Sequence, residues 1–357
     1  MNALQLNNGK MKKLNIVILL AVIIAMQYVV TAPQTWAQQS NDDKTVSVTW
    51  DTFVRAESDK YFKSYSDQGG FGKFYHIRQP TPIDQQDVIR MNRDTLYSPA
   101  IFDLTSPVTI TIPDTGDRFI SMMVVNQDEY IPIVGYKPGE YTLTQDEVGT
   151  RYVFVLFRTF ADSTDPEDIK KANAIQDQIK VEQASVGKLE IPNWDPVSHD
   201  RIRDAILVIA TTMTDYSKSF GTKEEVDPVA HFIGAASGWG GNPAKDATYL
   251  NVVPEKNDGN TPYTLTVKDV PVDGFWSVSL YNGEGFFQEN ELNAYSINNI
   301  TGTKDKDGSI TIHFGGDPKQ PNYLPIMDGW NYTVRLYVPQ KEILDGTWEF
   351  PSPQPVK

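Results

Sequence analysis

Two short segments in the first half of the chain, VTITI at 108–112 and FISMMVV at 119–125, decide the fold class. Both are rich in β-branched and apolar residues, which are typical of strands. The breakers Pro113-Asp114 and Gly116-Asp117 separate them. Runs of the same kind follow at 131–136 and 152–157. This part of the chain is therefore predicted to be antiparallel sheet.

The same strand pattern returns in the last third of the chain, past Tyr249. Asp307-Gly308 is typical of a hairpin turn, because aspartate and glycine tolerate the backbone angles that two-residue turns need. The predicted strands of this part are Tyr263–Val267, Phe275–Tyr281, Ser309–Phe314 and Tyr332–Val338.

Helical patterns lie before the first predicted sheet and between the two. Apolar residues at three- and four-residue spacing predict an amphipathic helix over about 49–66. Asp165-Pro166 and Asp227-Pro228 each predict a helix start, because aspartate caps the first turn and proline fits its first position. A further helix is predicted over about 200–216. The helix that starts at Pro166 should bury the stripe Ile169, Ala172, Ile175 and Ile179 and end by Gly187.

Together these patterns predict a mainly β (α+β) fold. Two antiparallel β-rich parts, sandwich-like or jelly-roll-like, are joined by a helical segment. Because the helices carry apolar stripes on one side, both parts should fold as one cooperative unit. The predicted divisions are a signal peptide at 1–37, an N-terminal β-rich domain at 45–165, a helical segment at 166–248 and a C-terminal β domain at 249–357.

The amino terminus has the three parts of a secretory signal in their usual order. Lys10, Lys12 and Lys13 precede an apolar run at 14–30, and small residues around Ala37 end it. We expect cleavage after Ala37, export to the periplasm or medium, and no stable membrane association afterwards. The alternative is an uncleaved anchor, since the run barely approaches the ~20 residues that a membrane span needs.

The chain is acidic and has no cysteine. Its formal net charge is −14, and removing residues 1–37 takes away three lysines and no acid, which leaves −17. A surface of this charge should repel phosphate backbones, so no nucleic-acid partner is predicted. The absence of cysteine excludes disulfides, thiolate metal sites and a cysteine nucleophile. No particular oligomeric state is predicted.

Familiar catalytic and cofactor motifs are missing. Ser237 lacks the flanking glycines of a hydrolase elbow. The glycine-rich stretches around 238–241 and 283–285 lack the residues that cradle phosphates. The four histidines, His76, His199, His231 and His313, are far apart in sequence and show no paired metal-ligand spacing. No metal or cofactor is predicted.

Several segments are recognisable. NRDTLYS at 92–98, followed by FDL at 102–104, resembles the signature of the bacterial domain of unknown function 1254. The second half resembles the domain of unknown function 1214. The resemblance implies a mainly β, two-part architecture with a helical middle, often exported, and it implies no activity. Its segments in the second half are PVDGFWS at 271–277, YN at 281–282, YSINN at 295–299, DGS at 307–309, HFGG at 313–316 and GWNY at 329–332.

Polar residues embedded among the predicted strands are the candidate site residues. The candidates for acid–base chemistry are Asp94, His313, Asp128 and Glu129. The candidates for ligand binding are Asn92, Arg93, Tyr97, Asn126, Tyr281, Asn298, Asn299 and Arg335. Amides hydrogen-bond hydroxyl groups, and rings stack on sugars or other planar faces. The structural alternative is that these residues cap turns and fill cores, with Asp94 paired to Arg93 or Arg335.

Two functional classes fit this set. One is a secreted protein that binds a small polar or saccharide ligand in a sheet-lined pocket. The other is a cofactor-independent hydrolase or lyase in which Asp94 works with Asp128 or Glu129 as acid and base. We also expect Asp94 and His313 to face one cavity, because each lies where a predicted strand ends.

Overall fold

The N-terminal half contains a β-sandwich of seven strands. The computed structural model describes residues 45–86 and 88–356, so the expected signal peptide lies outside the described residues. One sheet has the order β1-β6-β3-β4 and the other β5-β2-β7. The strands are β1 (Thr95–Asp103), β2 (Val108–Ile112), β3 (Ile120–Asn126), β4 (Ile133–Gly135), β5 (Gly139–Leu143), β6 (Tyr152–Phe160) and β7 (Lys180–Gln183).

The larger N-terminal sheet is covered on both faces, which explains why every residue of β3 is buried. Met122 and Val124 point into the core between the two sheets. Met123 and Val125 point to the other face, where helices cover them. β2 alternates between buried and half-buried residues because only one of its faces meets the core.

The C-terminal half is a second sandwich. Its sheets have the orders β11-β10-β14-β8 and β13-β12-β9-β15, and apolar side chains from both fill the space between them. The strands are β8 (Ala247–Val252), β9 (Tyr263–Val267), β10 (Trp276–Tyr281), β11 (Ser296–Asn298), β12 (Ile310–Phe314), β13 (Tyr323–Leu324), β14 (Asn331–Tyr337) and β15 (Gln354–Pro355). The predicted fold class, a β-rich α+β fold, is confirmed.

The described residues also contain six α-helices. They are α1 (Phe53–Tyr65), α2 (Gln145–Val148), α3 (Pro166–Gln176), α4 (Pro196–Ala210), α5 (Pro228–Gly238) and α6 (Lys341–Leu344). The side chains of Asp165 and Asp227 accept hydrogen bonds from backbone N–H groups in the first turns of α3 and α5, and they cap these helices as predicted. None of the helices in the described part of the chain is long and apolar enough to cross a membrane.

Three local predictions were wrong. The helix predicted over 200–216 begins at Pro196, because Asp195-Pro196 repeats the capping pattern and Asp195 accepts from Ser198 N–H. α3 ends at Gln176, and residues 180–183 instead form β7, which pairs with β2. Asp307-Gly308 forms a tight turn but not the predicted hairpin. The strand that follows it, β12, pairs with β9 and β13, and the turn connects β12 to neither of them.

The two sandwiches meet through an aromatic cluster. Phe275 stacks on Tyr337 with ring centroids 4.3 Å apart, and Phe119 and Phe160 pack edge-on or tilted against this pair. Phe119 and Phe160 belong to the N-terminal half, whereas the other two lie in the C-terminal sandwich. The residues from Val46 onward accordingly form one compact unit.

Candidate functional site

One face of the β11-β10-β14-β8 sheet is polar and buried against the N-terminal half. Along β10 and β14 the apolar residues alternate into the sandwich core. The residues between them, which face the other way, are Ser277, Ser279, Tyr281, Thr333, Arg335 and Tyr337. A buried face of this kind must have its hydrogen bonds met by the opposing half or by a ligand.

Arg335 is the central contact of this face. Its guanidinium donates to Ser279 Oγ (2.8 Å) and Tyr281 Oη (2.8 Å) on its own sheet. It also donates to the backbone oxygens of Arg90 (2.7 Å) and Met91 (3.2 Å), which precede β1. Tyr281 donates in turn to Met91 O at 2.7 Å. Arg335 and Tyr281 therefore join the two halves.

Asp94 lies at the same interface. One carboxylate oxygen accepts from Ser296 Oγ at 2.9 Å, and the other is buried without a hydrogen-bond partner. The described residues show no ion pair between Asp94 and Arg93 or Arg335. Arg93 instead donates to Thr81 O and lies 5.2 Å from the Tyr295 ring.

The shared cavity predicted for Asp94 and His313 is wrong. Ile312 and its alternate neighbours on β12 point into the C-terminal core, so His313 points to the opposite, partly exposed face. Asp94 contacts Ser296 on the far side of the other sheet. The apolar core of the sandwich therefore lies between the two side chains.

The proposed carboxylate pair is also wrong. Thr95 pairs with Phe160 on β6, whereas Asn126 pairs with Val153, so Asp94 and the 128–129 turn lie at opposite ends of the sheet. Seven residues of strand separate these ends by ~20 Å, far beyond the ~5 to 9.5 Å that carboxylate pairs use in glycoside hydrolysis. Asp128 forms a half-exposed ion pair with Arg55 at 2.6 Å.

Three other candidates hydrogen-bond to the backbone. Asn126 Oδ1 accepts from the N–H groups of Asp128 and Tyr130, and Asn298 Oδ1 accepts from those of Ile300 and Thr301. These two asparagines fix turns at strand ends, as the structural alternative described. Asn299 Oδ1 instead accepts from Trp276 N–H at the start of β10, 23 residues away.

Arg158 stands out because no acidic side chain among the described residues forms an ion pair with it. Its side chain is 6% exposed, and it lies directly across from Tyr97 in the β1–β6 pair. Its hydrogen bonds to Met123 Sδ (3.7 Å) and Gly240 O (3.3 Å) are long, and the Tyr97 hydroxyl also interacts with the guanidinium. Within the described residues no carboxylate reaches ion-pair distance of this guanidinium. A buried charge without a partner is costly, so Arg158 needs an explanation.

Tyrosine side chains surround Arg158 from both halves. The guanidinium lies 5.7 Å from the Tyr97 ring, and Asn92 Nδ2 donates to the hydroxyls of Tyr97 (3.2 Å) and Tyr337 (3.0 Å). Burial raises the pKa of Tyr337 well above its usual value, with further contributions from Tyr249 and Tyr97. Tyr337 therefore stays a neutral hydroxyl. We call Arg158, Tyr97, Tyr249, Tyr337 and Gly240 the Arg158 site.

Solvent reaches this site at one edge. The Tyr249 side chain is 42% exposed, and its hydroxyl accepts from Asn242 Nδ2 at 2.7 Å. Gly240 has a φ of +75°, and a Cβ placed on it would meet no atom within 4 Å. Open space thus adjoins the backbone that Arg158 contacts. The sequence carried one signal of this site, an arginine inside the otherwise apolar strand YVFVLFRTF at 152–160.

Asp246 is an acid within electrostatic range of Arg158. Burial raises the pKa of Asp246, against the lowering effects of the hydrogen bond from Tyr136 and of nearby cations that include Arg158. Tyr136 Oη donates to one oxygen at 2.8 Å, and the other oxygen is buried without a partner. Asp246 is thus engaged by a tyrosine and forms no ion pair with Arg158 among the described residues.

A cavity of about 380 Å³ lies elsewhere, at the opposite end of the N-terminal sheet from the 126–130 turn. Three of its four acidic lining residues already have partners: Asp168 binds Arg118, and Asp162 and Asp165 accept from nearby backbone N–H groups. The described residues contain no group of side chains that could hold a metal ion. The Arg158 site remains the better candidate for ligand binding, because no carboxylate among the described residues pairs with the Arg158 guanidinium.

Two family models match the chain in succession. The model described as "Protein of unknown function (DUF1254)" matches residues 71–183, and "Protein of unknown function (DUF1214)" matches residues 250–341. The chain belongs to the DUF1254–DUF1214 family. The predicted resemblance is confirmed. Arg158 and Tyr97 lie in the DUF1254 part and Tyr337 in the DUF1214 part, so the Arg158 site draws on both.

This DUF1254–DUF1214 chain is similar to solved structures. The VPA0106 protein from Vibrio parahaemolyticus has a TM-score of 0.67 at 20% identity, covering 85% of this chain and 97% of that one. An uncharacterized protein from Burkholderia cenocepacia has a TM-score of 0.47 at 14% identity, covering 85% and 86%. No curated protein matches the chain. The likeness to VPA0106 shows the fold alone.

Proposed function

We propose that this protein binds a small anionic ligand, one that carries a carboxylate on a polar or sugar-like body, at the Arg158 site. The observation that carries the proposal is the buried guanidinium of Arg158, which has no carboxylate partner among the described residues. A ligand carboxylate would supply the missing charge. Two parallel N–H···O bonds from one guanidinium match the two oxygens of a carboxylate, which makes arginine well suited to this task.

The surroundings of Arg158 favour a polar ligand body. The tyrosine hydroxyls of the site, which belong to Tyr97, Tyr249 and Tyr337, can donate to or accept from hydroxyl groups. The exposed part of the Tyr249 ring offers a flat apolar surface at the entrance, on which a sugar or aromatic face can stack. An acidic sugar combines both features, and it deepens the expectation of a saccharide ligand.

The first test is a thermal-shift screen of the chain from Gln38 onward with matched acid and neutral pairs, such as D-glucuronate against D-glucose and benzoate against benzyl alcohol. Binding to the folded state raises stability by RT ln(1 + [L]/Kd), about 2.7 kcal/mol at a ligand concentration of 100 Kd. We expect at least one acid to raise Tm while its neutral partner does not. Equal shifts from both members of every pair would contradict the proposal.

The variant pair Arg158→Met and Arg55→Met controls for nonspecific charge effects. Arg158→Met should abolish the acid-specific shift. Arg55 lies in a half-exposed ion pair with Asp128, so Arg55→Met should keep the shift. An acid-specific shift that survives Arg158→Met would place the ligand elsewhere.

We also propose that the protein is exported and acts in the periplasm or medium. The order of charged, apolar and small-residue segments within residues 1–37 supports this proposal. Intact-mass measurement of the mature protein should give a chain that begins at or near Gln38. A purified species that retains residues 14–30 would instead support the uncleaved anchor.

A further inference from the structure

We propose that Glu129 is a positioning residue for the Arg158 site and that it couples ligand binding to a proton: the neutral carboxyl permits anion binding, and its ionisation weakens it. This inference rests on the proposed function. Its basis is a single glycine that contacts both side chains. The N–H of Gly240 donates to Glu129 Oε1 at 3.1 Å, and the C=O of Gly240 accepts from Arg158 at 3.3 Å.

Glu129 is held in an unusual position. It lies in the turn after β3 with a φ of +62°, a conformation that costs energy for a residue other than glycine. Its side chain has no exposed surface, and Oε2 has no hydrogen-bond partner. Strained backbone and an unmet polar atom recur at functional positions, which makes Glu129 a candidate for a role beyond packing.

Among the residues that the structure describes, no cation is seen within ion-pair distance of Glu129. Glu57 on α1 adds a second negative charge, and Glu57 is itself 2.6 Å from His199 and 3.3 Å from Arg203. Tyr61 on α1 also lies within electrostatic range. Burial first, and then Glu57, raise the pKa of Glu129 well above its usual value, although the Gly240 hydrogen bond lowers it. The neutral form is therefore favoured over a wider pH range than for an exposed glutamate.

The segment that carries Gly240 is anchored on α1 beside it. Trp239 donates from Nε1 to Ser58 Oγ at 3.0 Å and stacks on Tyr61 with centroids 4.4 Å apart. The segment therefore has little freedom to move away from Glu129. Ionisation of Glu129 would place a negative charge on the other side of Gly240 from Arg158. This charge would compete with a ligand anion for the guanidinium.

Proton binding and ligand binding are then linked in both directions. If a proton on Glu129 strengthens anion binding, anion binding must strengthen proton binding by the same factor. The dissociation constant of an acidic ligand should rise as the pH passes through the pKa of Glu129 in the folded protein. Binding in that range should also take up protons from the buffer.

The experiment measures the Kd of one probe, D-glucuronate, by calorimetry between pH 5 and pH 9 for the wild type, Glu129→Gln and Asp128→Asn. We expect the wild type to lose about tenfold in affinity across this range, which corresponds to about 1.4 kcal/mol. Glu129→Gln should bind with the acid-side affinity at every pH. Asp128→Asn, a matched control with a half-exposed side chain in the same turn, should follow the wild type.

The outcomes separate this inference from the proposed function. His231 contacts Asp128 O at 2.9 Å, and any effect of this imidazole on binding would persist in Glu129→Gln. An equal pH dependence in both proteins would overturn the role of Glu129 and leave the Arg158 site intact. If Glu129→Gln does not fold, wild-type titrations in phosphate and in Tris give the proton uptake, and zero uptake at every pH overturns the inference. Failure of the wild type to bind D-glucuronate at any pH overturns the inference as written, whereas the proposed function fails only if no acid of the screen binds.

Discussion

Arg158 and Arg335 are both buried arginines on neighbouring sheets, yet only Arg335 donates short hydrogen bonds to several oxygens. Arg335 donates to four oxygens at 2.7 to 3.2 Å, whereas the contacts of Arg158 are 3.3 Å or longer. Arg335 therefore holds the two sandwiches together, whereas Arg158 has N–H donors left for a ligand. Substitutions at the two positions should therefore act in opposite directions.

Arg158→Met should raise the free energy of unfolding of the ligand-free protein, by about 1 kcal/mol. The substitution removes a buried charge, keeps most of the side-chain volume and leaves no carboxylate unpaired. Chemical denaturation of the wild type and the variant measures the change. A loss of more than 1 kcal/mol would mean that Arg158 is structural, with Asp246 as its partner at longer range.

Arg335→Met should lower the free energy of unfolding by about 2 to 4 kcal/mol. It leaves Ser279, Tyr281 and the backbone oxygens of residues 90 and 91 without their donor, and unmet buried polar groups each cost ~1 to 3 kcal/mol. Denaturation monitored by tryptophan fluorescence provides the measurement. Wild-type stability in this variant would show that the interface does not depend on the guanidinium.

Asp103 should make the fold sensitive to strong acid. Burial acts to raise the pKa of Asp103, but hydrogen bonds from Arg151 and from the N–H groups of Thr105 and Lys188 lower it to about 2. Its stabilising contribution is therefore present above the usual aspartate value of 3.8 and is lost as the pH falls from there toward 2. Asp103→Asn should lower the free energy of unfolding by roughly 2 kcal/mol at pH 7. The difference from the wild type should shrink between pH 4 and pH 2, and a constant difference would refute the assignment.

The sequence predicts the fold better than it predicts the site. Strands such as VTITI are predicted correctly because apolar and polar residues alternate along β2, and this alternation indicates which face is buried. The helix start at Asp195-Pro196 is equally readable from the sequence, because it repeats the capping pattern of Asp165-Pro166 and Asp227-Pro228. Local signals of this kind depend on residues a few positions apart.

The site depends on residues that are distant in sequence. Asp94 and His313 both lie near strand ends, but whether two strand ends share a cavity depends on which sheet each strand joins and which face it presents. The sequence alone does not assign a role to Arg158, because the pattern of an apolar strand explains its neighbours but not the arginine. Tyr97 is its neighbour within one sheet, but Tyr249 and Tyr337 approach it only where the two sandwiches meet.

The central claim is that Arg158 binds the acidic group of a ligand. A crystal structure of the chain from Gln38 onward, soaked or co-crystallised with the acid that gives the largest shift in the screen, tests this most directly. The account predicts that the ligand carboxylate accepts hydrogen bonds at about 2.7 to 2.9 Å from the Arg158 guanidinium, with Tyr249 against the ligand body. A ligand bound in the 380 Å³ cavity beside Arg118, or one whose carboxylate does not contact Arg158, would contradict it.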